Sequence, residues 1–89
     1  MTTRESLRCA DGKALAREAR AQLDEFVASN SRVLRAAREL VCSQADVAGA
    51  AGAYQSQVAA VEHGTTYGIG ADTLRRILAV YTKLFEGAA

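Results

Sequence analysis

The stretch SQADVAGAAGAYQSQVAAVEHG, residues 43–64, reads as two short helices and the turn between them. Ser43 is a suitable N-cap, and Asp46, three residues later, stands where a capping box needs its acceptor. Val47, Ala48 and Ala51 then face inward, and Gly52 supplies the left-handed residue that a tight interhelical turn requires. The next helix follows through Gln55, Val58, Val61 and Glu62, and Gly64 ends it. This is helix-turn-helix spacing. The second helix is too polar on its outer side to be buried all round. Its first turn presents Tyr54, Gln55, Ser56 and Gln57, where side chains can enter a major groove. Glutamine bonds bidentately to adenine, and serine donates or accepts at several bases.

These 22 residues resemble the lambda-repressor-like, or Cro/CI-type (XRE), helix-turn-helix regulators, whose pattern is Ser-Gln, a small-residue helix, a glycine turn, Gln-Ser, valines spaced by three and Glu-x-Gly. The likeness extends more loosely from Arg32 to Phe85. It implies base contacts from Gln55 and Ser56, flanked by Tyr54 and Gln57, and a phosphate contact from Gln44. It also implies core positions at Val47, Ala48, Val58 and Val61, and backbone contacts from the loop residues Thr65, Thr66 and Tyr67. Three departures stand out. Tyr54 replaces a small capping hydroxyl, Ala60 replaces a polar or basic contact, and Ala37 falls where the family places the arginine that pairs with the Glu62 position. Arg38 or Arg35 can substitute in that pair.

Outward from this motif, Leu15, Ala19, Leu23, Phe26 and Val27 mark a first helix from Asp11 to Ser29-Asn30, with Arg17, Glu18, Arg20, Asp24 and Glu25 as its solvated face. Ser31 caps a second helix, with Val33, Ala36, Ala37 and Leu40 on its inner side. Arg32, Arg35 and Arg38 form a row on another side of it, suited either to phosphates or to water. Asp72 caps a last helix carrying the strongest apolar stripe, Leu74, Ile77, Leu78, Tyr81, Leu84 and Phe85. No segment alternates like a strand. The expectation is an all-α, five-helix lambda-repressor-like bundle: residues 1–30 as an extension with one amphipathic helix, and residues 31–89 as the DNA-binding domain with its C-terminal helix.

Eighty-nine residues, 49% hydrophobic and rich in alanine, make one domain with a thin core, which favours a homodimer through the first or last helix. Eight of the eleven Lys and Arg lie in residues 1–40, and none lies between Glu39 and Leu74, where Glu39, Asp46, Glu62 and Asp72 make the centre acidic. Few ionic phosphate contacts are therefore expected, with Arg75 and Arg76 as further sources of charge. No apolar run has signal-peptide or bilayer length, so a cytoplasmic protein with Cys9 and Cys42 as free thiols is expected. His63 reads as a surface histidine and GTTYGIG as a plain loop. No metal spacing or nucleophile–base pair is present, so no cofactor and no enzyme activity are expected. The best reading is a transcriptional repressor on a palindromic operator, of the compact kind that the resemblance associates with plasmids, phages and toxin–antitoxin operons. The alternative is an antitoxin-like or adaptor module that keeps the helices, binds a protein through the first or last of them, and does not bind DNA.

Overall fold

A computed structural model describes residues 12–88 as four helices: α1 (Gly12–Glu39), α2 (Gln44–Ala51), α3 (Gln55–Glu62) and α4 (Ala71–Ala88). The described residues include no strand, so the class is all-α. The helix count of five is corrected to four, because the first two expected helices are one. No Gly or Pro interrupts residues 13–39, and Asn30 donates its side-chain amide back to the Phe26 carbonyl at 2.9 Å, so its polarity is satisfied within the helix and forces no turn. Ser31 accordingly lies inside α1 and caps nothing, and no helix ends at position 30. Twenty-eight residues rise about 42 Å, close to the 44 Å long axis of the molecule.

Continuity fixes the phase of the whole helix. Leu23, Val27, Leu34 and Arg38 face the core, and in that phase Val33 and Ala36 of α1 and the adjoining Leu40, expected inside, are exposed. α2 contributes Val47, Ala48 and Ala51, α3 contributes Val58 and Val61, and α4 contributes Leu74, Ile77 and Tyr81, with Ile69 from the loop between α3 and α4. α4 packs on α1 and α2, and α3 is wedged against the same two helices. Tyr81 is the one aromatic side chain in the described core, and the remainder is small and branched, so α3 and α4 come close to their neighbours.

Two glycines set the ends of the motif. Gly52 holds φ 65° after α2, and the next amide, Ala53, donates to the Ala48 carbonyl at 2.9 Å, closing the helix end in a Schellman-type turn. Gly64 holds φ 84° after α3, and a Cβ there would stand 3.3 Å from Ser31 Oγ, so glycine serves both the turn and the close approach to α1. Asp72 lies in the first turn of α4 rather than capping it. The Leu74 amide donates to the Gly70 carbonyl at 2.9 Å, which starts the helix two residues earlier.

Candidate nucleic-acid interface

α3 has eight residues, too few to persist alone in water. Val58 and Val61, both fully buried, hold it on the core, and Glu62 ties its last turn to every other helix. The Glu62 carboxylate accepts from Arg38 Nε at 2.5 Å and Nη2 at 2.9 Å (α1), from Gln44 Nε2 at 3.1 Å (α2) and from the Tyr81 hydroxyl (α4). Arg38 Nη1 also donates to the Cys42 carbonyl at 3.0 Å. Burial pushes the Glu62 carboxyl up, but the hydrogen bonds from Arg38, Tyr81 and Gln44 outweigh it and leave the group below its ordinary value. The same contact raises Arg38, and burial followed by the Glu62 bond raises Tyr81 well above a free phenol. Both stay protonated and Glu62 stays charged, so the pair is a fixed internal strut.

The opposite end of α3 faces water. Tyr54 occupies the N-cap with extended backbone, is 76% exposed and makes no side-chain cap bond, as its departure from a small hydroxyl implied. The substitute comes from Gln57, whose Oε1 accepts the Tyr54 amide at 3.0 Å. Gln57 is therefore half-buried and committed to its own helix, whereas Gln55 and Ser56 are exposed. Among the described residues the amides of Gln55 and Ser56 have no acceptor, so two N–H groups stand beside two polar side chains at the positive end of the helix. α2, by contrast, begins with a complete capping box. Ser43 Oγ accepts from the Asp46 amide at 3.1 Å, and Asp46 accepts the Ser43 amide at 2.9 Å, which holds the Asp46 carboxyl below its usual value.

The expected phosphate contacts divide into three groups. Arg38 is inside, paired with Glu62, because the phase of α1 turns it to the core, and so it does not share an outer row with Arg32 and Arg35. Gln44 also turns inward to Glu62. Thr66 is buried. Its hydroxyl donates to Asp24 at 2.7 Å, and Arg20 Nη2 donates to its carbonyl at 3.0 Å, so Arg20 and Asp24, expected to be solvated, clamp the loop after α3. The Thr66 bond, then the Arg20 bond, lower the Asp24 carboxyl.

Arg32 and Arg35 remain outside, lining with Ser31 and His63 a shallow depression at the C-terminal end of α3. Arg35 bonds Glu39 at 2.7 Å in a solvent-exposed pair that restrains it little, and Arg32 has no ion pair among the described residues. Thr65 and Tyr67 are exposed, and Arg75 and Arg76 share Asp72 at 2.9 and 3.4 Å.

The sequence left Tyr81 as either core or dimer seam; it is core, and its hydroxyl as a Glu62 donor was not foreseen. Sequence reasoning also missed the Arg20–Asp24 clamp, where the four-residue spacing was visible but the Thr66 partner, more than forty residues away, was not. Among the described residues no three His, Cys, Asp or Glu side chains converge on a metal position, Cys42 is a half-buried free thiol, and His63 is exposed. Cys9 lies outside the described residues. No described helix is long and apolar enough to cross a membrane. No protein-family model, curated protein or solved structure matches the chain.

Proposed function

We propose that the chain is a sequence-specific DNA-binding regulator of the cytoplasm, similar to the lambda-repressor-like group, that binds a palindromic operator as a homodimer and represses by occupying promoter DNA. One observation carries this reading. The first turn of α3 exposes Gln55 and Ser56 with their free amides while the last turn of the same helix is locked to three others through Glu62. A rigid scaffold with a polar, unsatisfied tip is what reading base edges requires, since the groups must be placed before they bind.

The structure narrows the charge available to this function. With Arg38 and Gln44 turned inward, positive charge beside α3 comes from Arg32 and Arg35, supplemented by the helix amides. A shallow dependence of affinity on salt is expected, well below that of a protein making about ten phosphate contacts. The test is a mobility shift on the DNA upstream of the protein's own gene, with wild type, Gln55→Ala and Ser56→Ala. Loss of at least about tenfold in affinity by either variant, with unchanged helicity, supports the assignment. Equal binding by all three overturns it. The rival, an antitoxin-like or adaptor module, draws support from the apolar side chains that α1 leaves in water, and specific retention of DNA by the wild type rules against it.

A further inference from the structure

Because Val27, Leu34 and Arg38 set the phase of α1, a second apolar stripe is left on a side with nothing over it. Phe26 and Val33 of α1, and Leu40 in the turn directly after it, follow one another at seven-residue spacing and are 46%, 55% and 85% exposed, with Ala19 one heptad earlier and Leu15 four residues before that. Heptad spacing holds such residues on one line along a helix, the arrangement by which helices pair. With Leu15 and Val41 the stripe leaves on the order of 500 Å² of apolar surface in water, at the upper end for the largest patch of a monomer. Two copies that cover all of it bury at most about 1,000 Å², the lower bound of a specific interface. α4 offers less, with Phe85 as its exposed large apolar residue.

Charge selects the occupant and its direction. Glu25 and Arg32 flank the stripe on the same edge, one heptad apart, and both are exposed and without an ion pair among the described residues. A parallel copy sets like against like or leaves both unpaired. An antiparallel copy sets Glu25 of each chain against Arg32 of the other, twice by symmetry, and brings Leu15 opposite Leu40 and Phe26 opposite Ser29. The next position along this edge opposes Glu18 to Glu39, whose charge is already engaged by Arg35.

We infer that the homodimer forms by antiparallel packing of α1 on α1 of a second copy, through Phe26, Val33 and Leu40 with reciprocal Glu25–Arg32 pairs. This rests on the dimeric part of the regulator reading. Gly64, just past the end of α3, meets α1 at Ala28 and Ser31, on the side roughly opposite the stripe, so the pairing keeps both α3 helices uncovered. Three interhelical steps of about 8–10 Å separate the two α3 axes by about 24–30 Å, approaching the ~34 Å between half-sites one helical turn apart. Arg32 is then taken up by the interface, and Arg35 is the cation left beside α3.

The full-length chain is measured by sedimentation equilibrium alongside the mobility shift. The wild type is expected to be a dimer, and Val33→Glu to raise its dissociation constant more than about tenfold with helicity intact, since position 33 is outside the core. Glu25→Arg and Arg32→Glu each weaken it by about threefold or more, and the combined reversal restores it. Phe85→Glu leaves it unchanged. A wild-type monomer, or Val33→Glu as dimeric as wild type, overturns the interface, and a double reversal that fails to restore pairing overturns the antiparallel arrangement. A stripe-dependent dimer that shifts no DNA would leave this interface standing while the regulator reading falls.

Discussion

The two ends of α3 are held in opposite ways. At its C-terminal end a carboxylate with 1% of its side chain exposed collects donors from α1, α2 and α4. At its N-terminal end the capping residue has no side-chain bond and two amides stand open. A helix of this length has little stability of its own, so the buried end supplies the order and the exposed end is left free to be unsatisfied. The contrast is with α2, the other helix of the motif, whose N-terminus is closed by Ser43 and Asp46.

That contrast can be broken most severely at Glu62. Glu62→Ala leaves the Arg38 guanidinium buried without its partner and is expected to cost about 3–5 kcal/mol, read from urea unfolding. Acid attacks the same point. The folded-state value of Glu62 lies below its ordinary 4.5, so its contribution is fully present above about that pH and is lost as pH falls through the lower folded value. Unfolding followed against pH should therefore show an acid-side loss that is smaller in Glu62→Gln than in wild type, on a lower baseline. Removing one donor is milder: Tyr81→Phe keeps the packing, deletes the hydroxyl bond to Glu62 and should cost about 2 kcal/mol.

At the open end the signs change. Tyr54→Ser restores an ordinary N-cap and should stabilise the protein by about 0.5–1 kcal/mol, seen as a higher urea midpoint. Gln55→Ala should move stability by less than about 0.5 kcal/mol, the usual range for a surface change. Its effect is expected on DNA instead. If Gln55→Ala cost as much stability as Tyr81→Phe, the separation between a structural end and a presenting end would be lost.

Legibility followed the range of the interactions. The capping box at Ser43, the left-handed Gly52, and the inward valines of α2 and α3 were readable because each is settled within about one or two turns. The break expected at Ser29 to Ser31 was a false local signal. Polar caps and a mid-helix serine look alike in sequence, and the shared burial of Val27 and Leu34 on one line carried the helix through. The row of arginines was legible as spacing but not as fate. The sequence left Arg38 and Arg35 as equal candidates for Glu62; the phase that buries Val27 and Leu34 points Arg38 at it, and Arg35 and Arg32 stay outside.

By itself, then, the sequence settled the helical class, the two-helix unit of residues 43–64 and the polar character of the first turn of α3, since propensity, capping and glycine geometry act between close neighbours. Only the tertiary structure decided that α1 is a single helix, that Gln44, Tyr81 and Arg38 meet on Glu62, and that Phe26, Val33 and Leu40 are left in water. Those outcomes depend on which distant groups share a buried space, and a carboxylate chooses its donors by proximity in the fold rather than along the chain.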